Sequence, residues 1–206
     1  MPIEYKNSGE VLLVGGEERQ QLLTIARAAL LDGVNGQPLA PLHLDQLPPP
    51  LREKRASFVT LLAGRQLRGC VGSLEPVLPL AEDVRMQAVA AALHDYRFPP
   101  VRADELPGIL ISVSVLSCSA SLAYTSPEDL LQKLNPHRDG VILRDGFRRA
   151  TFLPQVWAKI PDPELFLAML CQKMDSPPDL WRLKRLDVFT YQVEEIKENT
   201  VHKNGF

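Results

Sequence analysis

The stretch "SFVTLLAGRQLRGCVGSL", residues 57–74, decides the fold. Apolar residues run on both sides of Ala63 and Gly64, and each side has the length of one strand. The stretch predicts a hairpin with a short turn around those two residues. Upstream, residues 16–33 place Leu22, Leu23, Ile25, Ala26, Ala29 and Leu30 on one helical face, with Gly33 as the stop. Downstream, residues 79–95 do the same with Leu80, Val84, Ala88 and Ala91, and Pro79 stands near the start. Between the first helix and the hairpin, Pro48, Pro49 and Pro50 exclude helix and central strand. A strand, "ILISVSVLS", closes this half at residues 109–117, with Ser112 and Ser114 making one face more polar.

The second half repeats the order. Residues 126–134 form a short helix with Ser126 as cap, Pro127 in first position and Asp129 completing a capping box. Residues 140–154 form a hairpin with Asp145 and Gly146 at its turn. Residues 162–174 form a helix capped by Asp162, and "DVFTYQVEEI" at 187–196 is a closing strand. Strands and helices do not alternate strictly, so the class is α+β with mostly antiparallel pairing and helices packed outside. The expected organisation is one domain of two lobes. The larger spans residues 17–120 and the smaller 121–196, with a polar, frayed tail at 197–206.

Composition narrows function by exclusion. The net charge of −2 and the 6% of aromatics, which form no basic interleaved stripe, argue against nucleic acid as partner. No stretch approaches the length of a membrane span, and the N-terminal apolar run, Val11 to Val14, is too short for a secretory signal. Cys70, Cys118 and Cys171 form no pair, zinc spacing or iron–sulfur cluster pattern, which suits a reduced, cytoplasmic protein. Cys118 and Cys171 read as structural. No phosphate loop or dinucleotide fingerprint occurs, and the four histidines have no metal-ligand spacing, so no cofactor is expected.

"QLRGCV" carries the chemistry. In a regular strand Arg68 and Cys70 point to the same face, and Leu67, Gly69 and Val71 to the other. A guanidinium beside a thiol favours the thiolate, which makes Cys70 a candidate nucleophile and Arg68 its stabiliser, or an anion holder. Gly69 and Gly72 remove bulk, so a ligand or another backbone can come close. The competing reading is a small, packed, inert cysteine beside a bulge. In "HDYRFPPV", residues 94–101, Asp95 and Arg97 either orient a polar ligand or brace the helix end, while Phe98 fills the core. In "RRATFLPQVW", residues 148–157, Phe152 and Trp157 read as core beside a strand-to-helix turn.

These stretches together resemble the AMMECR-type domain family, in the bacterial and archaeal form called AmmeMemoRadiSam system protein A. Its hallmark Leu-Arg-Gly-Cys-Ile-Gly reads "LRGCVG" at residues 67–72, with Val71 for isoleucine. "SFVTL", "RFPP", "ELP", "SVSVLS", "DGVILRDG" and "ATFLPQVW" extend the likeness over roughly residues 20–196, with Tyr96 where many bacterial relatives carry proline. The resemblance implies two α+β lobes, a duplication around a barrel-like sheet and a cleft near the hallmark. It also implies company: a Memo-type protein and a radical SAM enzyme. It implies no established reaction. Two functions follow as expectations: a non-catalytic partner of those proteins, or a thiol-dependent enzyme or small-molecule carrier using Cys70.

Overall fold

In the computed structural model, which describes residues 4–5, 11–12 and 14–199, the chain groups into two units. The first runs to Leu116 and takes up the chain again from Glu194; the second is Ser117–Val193. The first opens with a short antiparallel ribbon, β1 (Glu4–Tyr5) with β2 (Val11–Leu12). Helix α1 (Gly16–Val34) and the single turn α2 (Pro49–Arg52) follow. Then come β3 (Ser57–Ala63), β4 (Gln66–Gly72), α3 (Leu80–Leu93) and β5 (Ile109–Leu116). The second unit contains β6 (Ala120–Ser121), α4 (Pro127–Lys133), β7 (Gly140–Asp145), β8 (Arg148–Phe152), α5 (Pro163–Lys173), α6 (Leu180–Leu183) and β9 (Asp187–Tyr191). The expected closing strand is divided at Gln192, and its second part is β10 (Val193–Lys197).

The two sheets have orders β10-β5-β3-β4 and β6-β9-β7-β8. In each, the first hairpin strand lies between its hairpin partner and the strand that follows the helix. The repeat of order seen in the sequence is therefore also a repeat of pairing. The outer strands are exchanged: β6 follows β5 in the chain but pairs with β9, and β10 follows β9 but joins β5. Apart from the β1–β2 ribbon, the described strands thus form two open four-stranded sheets, not one barrel-like sheet, and residues 194–199 join the first unit rather than the smaller lobe.

Charge spacing explains where β10 goes. Glu194 pairs with Arg19 and Glu198 with Arg27. The arginines are eight residues apart on α1, about 12 Å at ~1.5 Å per residue. The glutamates are four residues apart in extended chain, about 13 Å at ~3.3 Å per residue. Glu194 also accepts the Val14 amide at 3.1 Å, and Glu198 accepts the Ile111 amide at 2.8 Å. Ile196 between them is buried in the first core. Lys197 and Glu198, expected in a frayed tail, are therefore held; residues 200–206 of that tail lie outside the described residues.

The first core joins Val59 and Leu61 of β3 and Ile111, Val113 and Val115 of β5 to Leu22, Ala26 and Leu30 of α1 and Leu80, Val84 and Ala88 of α3. Each valine, leucine or isoleucine among them contributes roughly 1.5–3 kcal/mol by leaving water. Gly33 does not stop α1. It lies inside the helix against Val89 of α3, and the Asn35 side chain closes the end by donating to Leu31 O at 2.8 Å. Pro49 and Pro50 do not exclude helix either. They start α2, where a proline's missing N–H costs nothing, and they place Leu51 fully in the core.

The second core centres on Trp157 stacked on Phe166, ring centroids 3.6 Å apart, with the indole donating to Asp139 O at 2.7 Å. Ser126 caps α4 by accepting the Asp129 amide, while the Asp129 carboxylate turns to the Thr125 amide and hydroxyl. Asp162 caps α5 as the sequence predicts. Among the described residues no helix is long and apolar enough to cross a membrane.

Candidate functional site

Residues 67–72 lie on β4, at the edge of the first sheet. Its register with β3 breaks at one point: Gly69 faces Leu61, but Leu67 faces Leu62, so Arg68 is an extra residue. This β-bulge cancels the alternation that would put Arg68 beside Cys70. Leu67 takes that face instead, opposite Leu62, and is 42% exposed.

Arg68 turns away from the thiol. Its Nε and Nη2 donate to the two carboxylate oxygens of Glu105 at 2.6 and 2.9 Å, while Nη1 and Nη2 reach Pro99 O and Pro100 O at 2.9 and 3.2 Å. The bidentate contact drops the Glu105 carboxyl to about 2 and raises the Arg68 guanidinium above its ordinary value. Glu105 also accepts the Arg102 amide at 2.8 Å. Arg68 therefore pins the 99–105 segment to β4, and the expected thiolate stabiliser is a brace.

Cys70 faces Thr60, and Thr60 faces Ser112 on β5. The three share the sheet face opposite Val59 and Leu61. Thr60 Oγ1 donates to Cys70 Sγ at 3.2 Å, and Ser112 Oγ donates to the Glu195 carboxylate of β10 at 2.9 Å. A polar row of thiol, two hydroxyls and carboxylate thus crosses four strands. Ser112 is buried and Cys70 half-buried, so the thiol is neither sealed under apolar side chains nor fully open.

The backbone of Cys70 points off the sheet edge, and side chains meet it there. Asp95 Oδ2 accepts the Cys70 amide at 2.8 Å, and Arg97 Nη2 donates to the Cys70 carbonyl at 2.9 Å. Asp95 and Arg97 are themselves paired, Nη2 to Oδ2 at 2.6 Å and Nε to Oδ1 at 2.9 Å. One carboxylate and one guanidinium supply the acceptor and donor that a neighbouring strand would supply. The bond to Arg97, aided by the Cys70 and Arg97 amides, holds the Asp95 carboxyl far below the usual carboxylate range against the opposing effect of burial. The sequence offers these two residues a polar ligand or the helix end as targets, and the structure sets both on the backbone of Cys70. Between them Tyr96 is 95% exposed.

The glycines admit the chain's own neighbours. A Cβ on Gly69 would stand 2.1 Å from Ala91 O of α3, and one on Gly72 would stand 2.2 Å from the Phe58 ring and 2.5 Å from Ser57 O. Gly69 lets α3 close on the sheet, and Gly72 lets Phe58 lie across the strand end. Sequence reasoning missed Asp83 of α3. Its buried carboxylate accepts the Ser57 amide at 2.9 Å, the Ser57 hydroxyl at 2.6 Å and the Ser73 hydroxyl at 2.9 Å, tying the helix start to β3 and to the residue that follows β4. It also missed Thr60, Ser112, Glu195 and Glu105, whose roles depend on register and long-range pairing.

Cys171 is buried in α5, and burial pushes its thiol up. Cys118, expected to be structural, is exposed.

With the site in place, the comparisons are consistent with one another. The AMMECR1 family model matches residues 23–196. A protein of Thermofilum pendens is 39% identical over 203 residues, covering 91% of this chain and 92% of its own. One of Methanocaldococcus jannaschii is 34% identical over 185 residues, covering 88% and 90%. The crystal structure of an uncharacterized protein from Pyrococcus horikoshii shares the fold, with a TM-score of 0.80, 33% identity and coverage of 91% and 95%. The family model, the relatives and the shared fold agree, and the chain belongs to the AMMECR1 family.

Proposed function

We propose that this chain is a non-catalytic accessory protein of the AmmeMemoRadiSam protein A type, docking onto a Memo-type protein or a radical SAM enzyme and helping to position a substrate. The observation that carries the reading is where the hallmark spends its polar groups. Arg68 holds Glu105, Asp95 and Arg97 hold the Cys70 backbone, and the space beside both glycines is filled by Ala91 and Phe58. Such a stretch presents a fixed edge, with Tyr96 and Leu67 exposed beside it, and aromatic and arginine side chains are enriched in protein interfaces. The company of Memo-type and radical SAM proteins comes from the resemblance of residues 67–72 to the hallmark. A cytoplasmic setting fits the three free cysteines.

The test is titration calorimetry of the full chain against each purified partner. The expected result is saturable binding to at least one, weakened by Tyr96→Ala. No heat change with either partner overturns the reading.

A second reading keeps Cys70 as the attacking or attachment atom of a thiol-dependent enzyme or small-molecule carrier. It is favoured by the half-buried thiol that accepts a bond from Thr60 and by the Ser112–Glu195 pair in the same row. Exclusive trapping of a mechanism-type electrophile on Cys70 at neutral pH is its supporting result.

A further inference from the structure

Residues 37–43, Gln-Pro-Leu-Ala-Pro-Leu-His, lie between α1 and α2 and belong to neither helix nor strand. Burial along them repeats every three residues. Leu39 and Leu42 pack against the first core, while Gln37, Pro38, Ala40, Pro41 and His43 are exposed. A strand, with its period of two, would turn Pro41 inward with Leu39. Three residues per turn is the repeat of polyproline II. The sequence agrees: each proline fixes its own φ at about −65°, and the residues before them, Gln37 and Ala40, are kept to extended backbone. Side chains of both long helices clamp the segment. Asp32 of α1 accepts the Ala40 amide at 3.1 Å, and Arg85 of α3 donates to the Ala40 carbonyl at 3.0 Å. The Gln37 amide donates to Asp32 O at 2.8 Å. The carbonyls of Gln37, Pro38, Leu39 and Pro41 have no hydrogen-bond partner among the described residues.

We propose that residues 37–41 are a docking strip for a protein with an aromatic-lined groove that reads polyproline II. Such grooves take two residue-plus-proline pairs, three residues apart, and leave the residue between them turned away. Here the pairs are Gln37-Pro38 and Ala40-Pro41, and the residue between them, Leu39, packs on the chain's own core. The fold therefore shows a partner the two corners such a groove accepts and hides the third. Proline rings lie on aromatic faces, and indole and phenol groups of the groove donate to the open carbonyls. The strip is already extended and clamped, so little conformational entropy is lost on docking. It carries no charged side chain of its own, so nucleic acid or an anionic membrane gains nothing from it. The later prolines do not compete, because Pro49 and Pro50 are inside α2. The strip belongs to the first unit and is independent of Cys70 and of the β4 edge.

The experiment places the photo-cross-linker p-benzoylphenylalanine at position 43 of the full chain, in the cells that express it. The His43 side chain is exposed and makes no hydrogen bond among the described residues, so the exchange leaves folding intact. The expected result is a cross-link to a protein whose linked peptide contains Trp or Tyr. That protein, purified, binds the full chain, and Pro38→Ala combined with Pro41→Ala weakens the binding about tenfold or more, with circular dichroism unchanged. High salt leaves the binding in place. No cross-link, one to nucleic acid, lipid or a second copy of this chain, one to a surface without aromatic residues, or binding indifferent to the proline exchanges overturns the proposal. If the double variant unfolds, a synthetic peptide of residues 36–44 decides. It displaces the purified protein, and the same peptide with alanine for both prolines does not; displacement by both peptides or by neither overturns the proposal.

Discussion

Asp95 binds the amide of Cys70 at 2.8 Å on the outer edge of β4, and its partner Arg97 binds the carbonyl of the same residue at 2.9 Å. An edge strand with free polar groups invites another chain. Here two side chains stand where the next strand would be. Asp95→Ala leaves the Cys70 amide without its acceptor and the Arg97 guanidinium without its carboxylate, and the expected loss is about 1–3 kcal/mol. That corresponds to roughly 2–4 °C in Tm per kcal/mol for a chain of this size. The variant also gains concentration-dependent association, read by light scattering after gel filtration. A folded variant that stays monomeric at all concentrations shows that the pair does not guard the edge.

Acid opens the same region. Glu105 falls to about 2 and Asp95 is lowered as well, both below their unfolded values, so their stabilisation is complete above the unfolded carboxylate range. It is lost as pH falls from about 5 toward 2. Urea melts across this window give decreasing midpoints in the wild type and a shallower decrease in Glu105→Gln. Equal slopes in the two proteins contradict the assignment.

Gly69→Ala drives a methyl into the Ala91 carbonyl, a backbone atom that moves only if α3 moves. Overpacking of this kind costs typically ~1–3 kcal/mol, and a backbone obstacle puts the expected loss at the upper end. Gly16→Ala is the control. It meets nothing within 4 Å at the start of α1, and the expected change is neutral or stabilising by up to ~1 kcal/mol. Thermal melts of both variants compare them directly.

The three cysteines rank by access. Cys118 is exposed, Cys70 half-buried and Cys171 buried with its thiol pushed up. Residue-resolved alkylation near neutral pH is expected to label Cys118 first and Cys171 last. Thr60→Val, which removes the hydroxyl on Sγ, alters the rate at Cys70 alone, and Thr60→Ser restores it. A Cys70 that outruns Cys118 in the wild type moves the thiol reading ahead of the accessory one.

The hairpin was legible because two apolar runs flank a glycine turn, and α3 because its apolar residues keep helical spacing. A bulge beside the glycines was one of the readings open, but its place at Arg68 was not legible. It adds one residue without changing composition, and only the pairing with β3 fixes where the extra residue stands. The same holds for β10. Glu194 and Glu198 look like solvated charges until α1 supplies Arg19 and Arg27 at matching spacing. Asp95 and Arg97 were visible as unusual neighbours of the motif, but their target, the backbone of Cys70, carries no side-chain signal. Gly33 and Pro49 misled for a local reason: a contact with Val89 and a position at N1 outweigh average propensity.

The central claim is that the hallmark holds a docking edge rather than performing a reaction on Cys70. The most direct measurement titrates the wild type, Cys70→Ser and the double variant Asp95→Ala with Arg97→Ala against the Memo-type protein and the radical SAM enzyme. The account predicts binding by the wild type to at least one, kept by Cys70→Ser and weakened by about tenfold or more, ~1.4 kcal/mol, in the double variant. Binding that disappears with Cys70→Ser while the double variant binds as well as the wild type contradicts it.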